Sequence, residues 1–289
     1  MSDFHGEPTG ILENNLLRVE YLQNSPRIVR LIPKGKDNLF ADLGKSALPT
    51  PYGDFYFRGG HRLWHAPEEF PRTYIPDNEG SVVEHIENGI RIRQLAEPMT
   101  QIEKSVEILL DSQAARVELR HELRNAGTEP VELAPWALSM MRLGGVAVIP
   151  QPVGDKNAKL PNRHLVLWPY SEIGDPRLEL GDDFILVRAG AKLPALKLGC
   201  LIPQGWIGYW INGTFFVKRF DAPDPEESYP DWGCNVEVYC NDKFIELETL
   251  GPLRIIEPGA IVSHTETWEI FNSLKQDWVP DELLKVLGV

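Results

Sequence analysis

Apolar and polar residues alternate with a period of two through most of the chain. The clearest case has Val117, Leu119, His121 and Leu123 on one side and Glu118, Arg120, Glu122 and Arg124 on the other. That spacing puts one set on each face of a half-buried strand. Comparable runs predict strands over 27–32, 81–86, 90–95, 105–110, 184–188, 206–211, 214–219, 235–240, 244–249 and 261–271. Turn formers separate them. Asn212-Gly213, and in the same way Asn88-Gly89, read as two-residue hairpin turns, because both residue types tolerate positive φ.

Many short strands at close spacing with little helical periodicity predict an all-β chain, a large antiparallel β-sandwich. No repeat or composition shift marks a boundary, so residues 1–289 are read as one domain. A short C-terminal helix is expected from Pro280 to Leu287, where Pro and acids precede apolar residues. Two stretches read as irregular: 43–76, rich in Gly, Pro, His and aromatics, and the acidic 221–233. Long ordered loops on a rigid scaffold are common places for sites.

Charge narrows the partners. The 289 residues carry 42 Asp and Glu against 29 Lys and Arg, a net charge of -13, which would repel a phosphate backbone or an anionic membrane. Neither nucleic acid nor membrane is expected as a partner. The first residues carry no basic segment leading into an apolar stretch, and no run of about eighteen apolar residues occurs, so the reading is a soluble, cytoplasmic protein. Cys200, Cys234 and Cys240 are odd in number and form no CxxC pair, so they read as reduced, buried side chains.

The densest chemistry lies in Gly59 to Glu68, where His61, Arg62, Trp64, His65 and Glu68 fall within ten residues. A sugar site needs such a mixture: an aromatic face for the ring, charged groups for the hydroxyls, and an imidazole to carry a proton. The plain alternative is a packed loop with Trp64 anchoring the core. A metal is not expected, because the HxxxH spacing of His61 and His65 suits a helix, whereas the flanking Gly-Gly and Pro indicate loop.

In 244–252, alternation sends Glu246 and Glu248 to one face of a strand. That face is either a solvated surface or a carboxylate-lined cleft in which one acid serves as a base. His121, His164 and His264 fall within strand patterns and read as satisfied core histidines. In the acidic stretch, Asp231 and Trp232 are candidate binding residues, with Trp232 as a second stacking wall.

Three segments together resemble the galactose mutarotase-like superfamily, which includes aldose 1-epimerases and non-enzymatic sugar-binding relatives: GGHRLWHAPE (59–68), VELRHELRNAGTEPVELAPWALSMM (117–141) and FIELETLGPLRIIEPGAIVSHTETWEIF (244–271). The resemblance implies a sandwich binding a small-molecule carbohydrate and needing no cofactor. It matches Glu248 to the family's general base, and Arg62 with His61 or His65 to the region of its substrate-binding Arg and first His. Where the family carries its acid histidine, the chain reads Pro135-Trp136-Ala137-Leu138-Ser139. The implied activity is isomerisation of sugar anomers, with Glu248 as base, His61 or His65 as acid, and Arg62, Trp64, Glu246, Asp231 and Trp232 contacting the sugar. The alternative is a sugar-binding or structural sandwich without catalysis.

Overall fold

The computed structural model describes residues 2–152, 154–224, 226–274, 285 and 287. Among them, the strands form two antiparallel sheets, one of twelve strands and one of ten. The segments 81–86, 184–188, 206–211 and 261–271 have the bounds their alternation predicts, and the others agree to within a few residues. The all-β sandwich is therefore the fold. The C-terminal helix expected after Pro280 lies outside the described residues. No helix among those described is long and apolar enough to cross a membrane.

Six neighbouring strands of the first sheet position the site. They lie in the spatial order Arg27–Pro33, Gly53–Ala66, Val131–Arg142, Phe244–Leu250, Val236–Cys240 and Leu196–Cys200. In the second sheet, Thr214–Phe220, Ile261–Phe271, Arg116–Asn125 and Ile102–Leu110 lie side by side. The two sheets share one large core, with Val117, Leu119, Phe216 and Trp268 from the second meeting Ile28, Leu198, Val238 and Leu247 from the first. Cys200, Cys234 and Cys240 are buried and free, as their number and spacing imply.

The turn residues behave as their chemistry dictates, with one shift. Asn212 and Gly213 have φ of 48° and 73° and close the hairpin between Ile211 and Thr214. In the other hairpin Ile86 pairs with Gly89, so the turn residues are Glu87 and Asn88, and Asn88 alone takes a left-handed φ, 61°. Gly89 has joined the strand, and a Cβ there would lie 2.0 Å from the Ile108 carbonyl oxygen.

The stretch 43–76 departs most from expectation. Two paired strands, Asp42–Thr50 and Gly53–Ala66, fill most of it, and the second runs unbroken through the segment read as a loop. Gly59 and Gly60 mark a change of partner: Asp42 pairs with Gly59, while Ile28 pairs with His61. Their φ values are 87° and 69°, and a Cβ on Gly60 would sit 2.0 Å from the Ile28 carbonyl oxygen. The glycines let the strand bend past two backbones without ending it. His164 also differs from expectation, lying outside any strand and exposed.

Candidate functional site

Because the strand continues past Gly60, period two decides where its side chains go. Arg62 and Trp64 emerge on the outer face of the first sheet, while His61 and His65 point between the sheets. The structure thus does not bring the two histidines to Arg62. His61 Nε2 lies 2.8 Å from His121 Nε2, and His65 lies 3.4 Å from Glu97, itself paired with Lys104.

Register assembles the outer face in rows. Met140, Glu246, Tyr239 and Lys197 are cross-strand neighbours in one; Arg62, Leu138, Glu248 and Glu237 in the next; Trp64, Trp136 and Leu250 in a third. Above these rows lies a cavity of about 530 Å³, to which Arg62, Trp64, Tyr74, Lys197, Tyr239 and Glu246 contribute. A pocket of that size suits a small molecule. A larger depression of about 680 Å³ lies on the outer face of the second sheet, where Arg91, Glu107, Glu118 and Arg120 pair with one another.

Arg62, only 2% exposed, donates from Nη2 to Glu246 at 2.8 Å, and its guanidinium carbon lies 4.0 Å from the Trp64 ring centre. Its Nε and Nη1 find no hydrogen-bond partner in the protein. Buried donors of this kind are ordinarily satisfied, so these two nitrogens carry unmet polar valence beside the cleft. Burial pushes the Glu246 carboxyl up to about 7, against the pull of Arg62 and with Glu248 adding to the rise. Tyr74 stacks edge-on against Trp64, and its hydroxyl donates to Glu68.

Glu248 occupies a different level. It is fully buried and absent from the cavity lining, and its Oε2 accepts from Trp136 Nε1 at 2.8 Å and from Lys197 Nζ at 3.2 Å. Lys197 also lies 2.7 Å from Glu237, and its ammonium faces the rings of Trp136 and Trp168 at 4.8 and 4.6 Å. Burial alone would lower the lysine's pKa, but Glu237 and Glu248 hold it well above the ordinary range. Burial pushes Glu237 up, outweighing Lys197, with Glu248 adding to the rise. Of the two acids that alternation sends to this face, Glu246 is the one open to the cavity.

Asp231 and Trp232 form part of the turn Pro230–Gly233, both with left-handed φ. Trp232 is 90% exposed, and neither residue lines the cavity. Sequence reasoning passed over Lys197, Glu237, Tyr74 and Trp136. The signal for Lys197 was a lysine inside the apolar run Leu196 to Leu201. Glu237 lay in a strand whose alternation matched that of Glu246 and Glu248.

The inward histidines build a separate polar cluster. His121 Nδ1 lies 2.9 Å from the His264 carbonyl oxygen and must donate to it, which leaves His121 Nε2 to accept from His61. Ser139 then donates to His61 Nδ1 at 2.9 Å. His61, His121 and Glu266 lie close enough together to hold a metal ion, but as bonded they form a closed network. Glu266 accepts from Lys218 at 2.8 Å and from Trp268 Nε1 at 2.8 Å. Burial would raise Glu266, yet Lys218 and the imidazoles hold it well below the usual carboxylate range.

No protein-family model matches the chain, and no curated protein does. Solved structures do. A galactose mutarotase-like protein from Lactobacillus casei superposes with a TM-score of 0.57 at 9% identity, over 91% of this chain and 100% of that one. The fold is galactose mutarotase-like. A galactose mutarotase related enzyme from Lactobacillus acidophilus matches with a TM-score of 0.55 at 11% identity, over 94% and 100% of the two chains. Slr1438 from Synechocystis matches at 0.58 and 14%, over 92% and 96%. The galactose mutarotase-like fold here carries its cavity on the outer face of the larger sheet.

Proposed function

We propose that the cleft binds a carbohydrate and exchanges its anomers, in the manner of an aldose 1-epimerase, with Glu246 as the base. The observation that carries this reading is the buried Glu246 carboxyl at about 7, paired with an Arg62 that stacks on Trp64, inside an aromatic-walled cavity. A general base works best with a pKa near the working pH, and a sugar ring needs both flat aromatic faces and unpaired donors for its hydroxyls. The names of the mutarotase-like neighbours support a sugar ligand. Glu248, expected as the base, is instead read as a support that fixes Lys197 from below.

In the proposed reaction Glu246 takes the proton from the anomeric hydroxyl, the bond from C1 to the ring oxygen breaks, and the ring oxygen is protonated. Rotation about C1–C2 and reclosure complete the exchange, with each proton returned. No cofactor takes part.

The test is a panel of free and phosphorylated aldoses, assayed for binding by calorimetry and for anomer exchange by NMR. Glu246→Gln keeps the side chain's shape but cannot accept the proton, so exchange should fall by roughly 10² to 10⁴ with binding retained. A wild-type protein that binds a sugar yet never exceeds the spontaneous rate would leave a non-catalytic binding protein.

A further inference from the structure

We infer that Lys197 is the acid of this site, donating a proton to the ring oxygen as the sugar opens. The inference rests on the mutarotase reading above and supplies the partner that Glu246 lacks there. Among the described residues lining the cavity there is no histidine. The remaining polar donors serve less well. Arg62 has a guanidinium that does not give up its proton. Tyr74 is engaged with Glu68, and for Tyr170 or Tyr239, as for any phenol, release of the proton would leave a buried anion, whereas an ammonium is left neutral. Lys243 is exposed at the rim.

Lys197 is only 4% exposed, and its place is set from several sides. Leu196 and Leu198 point into the core, which turns Lys197 onto the cleft face in the same row as Tyr239 and Glu246. Glu237 at 2.7 Å and Glu248 at 3.2 Å hold the ammonium, and the indoles of Trp136 and Trp168 flank it. An ammonium carries three N–H groups. Two are turned to the carboxylates, and the third remains for a ligand.

The spacing fits one hemiacetal. Glu246 and Lys197 are separated by a single intervening strand, so their Cα atoms stand about 10 Å apart at ordinary strand spacing. The two oxygens to be served share one carbon, C1. With hydrogen bonds of normal length at each end, base and acid atoms can be no more than about 8 Å apart, which side chains leaning into the cavity from these positions can meet.

The protons balance. Glu246 removes the O1 proton as the C1–O1 bond gains double-bond character, the C1–O5 electron pair moves onto O5, and the Lys197 ammonium gives O5 its proton. On reclosure the neutral amine recovers that proton from O5, and Glu246 returns its own to O1.

Lys197→Met and Lys197→Arg are compared with the wild type for anomer exchange and sugar affinity, after circular dichroism has shown that they fold. Arginine retains the charge but does not surrender a proton, so both variants should lose roughly 10² to 10⁴ in exchange rate, and the arginine variant should bind within a few-fold of wild type. An independent readout is a carbasugar, in which a methylene replaces the ring oxygen. Loss of a hydrogen bond from a charged donor should weaken its binding to the wild type about tenfold or more relative to the parent sugar. Exchange at the wild-type rate in either variant, or equal affinity of the wild type for sugar and carbasugar, overturns the assignment while leaving the mutarotase reading in place. A wild-type protein without exchange on any aldose overturns that reading, and the acid role with it.

Discussion

The raised Glu246 carboxyl has a consequence for stability that needs no ligand. Its ordinary value of 4.5 rises to about 7 in the fold, chiefly because burial disfavours the charged form. A group raised on folding contributes stability that is complete below its unfolded pKa and is lost as pH climbs through its folded one. Glu246 therefore makes the folded protein less stable at alkaline than at acid pH. At 1.36 kcal/mol per tenfold change in proton affinity, the full loss is about 3 kcal/mol, of which about 2.5 falls between pH 5 and pH 8.5. Glu246→Gln removes this titration. Urea unfolding of the wild type and variant at both pH values gives two stability differences, and the variant should gain about 2.5 kcal/mol on the wild type between them. Comparing variant with wild type cancels the titrating groups that do not interact with Glu246, including the core histidines. The attraction of Arg62 for the ionised carboxylate is already contained in that value of about 7 and adds no separate contribution. A gap that stays constant within about 0.5 kcal/mol, or that narrows at pH 8.5, would refute a buried carboxyl at about 7, and with it the case for Glu246 as the base.

Two further outcomes follow from side chains on either side of the sheet. His264 is pushed down to about 3 by burial. Its contribution is present above the unfolded value of 6.5 and is lost as pH falls, so the wild type should lose about 1.4 kcal/mol relative to His264→Gln between pH 7.5 and 5.5, and a constant difference in urea unfolding would contradict this. Trp64→Ala removes the ring on which Arg62 lies and should weaken sugar binding by about 1 to 3 kcal/mol; unchanged affinity by calorimetry would confine Trp64 to a packing role.

Strand positions and faces were legible from the sequence because both are local properties. Alternation over four to ten residues is enough to say that 117–124 is a strand with His121 turned inward, and that Glu246 and Glu248 share a face. Hairpin turns were legible for the same reason, since φ preference belongs to the turn residues themselves. Arg62 and Trp64 were picked out by composition and do lie together in the cleft. The reading of 59–68 as a loop, where the structure has a strand through Ala66, also failed for a local reason. Two glycines usually punctuate a chain, and only the neighbouring backbones at 28 and 41 reveal that here they let a strand squeeze past.

What the tertiary structure decided was environment. Glu246 and Glu248 are equivalent in any local pattern, yet one opens to a cavity and the other is capped by Trp136 and Lys197, which lie 112 and 51 positions from Glu248, separations that no period can connect. Lys197 and Glu237 meet the cleft only because Leu196–Cys200 and Val236–Cys240 lie next to Phe244–Leu250 in the sheet. Burial, and the charges that burial brings face to face, set the proton affinities of these groups. Those quantities depend on which strands become neighbours, and antiparallel pairing across long sequence distances is decided by the packing of the whole sandwich.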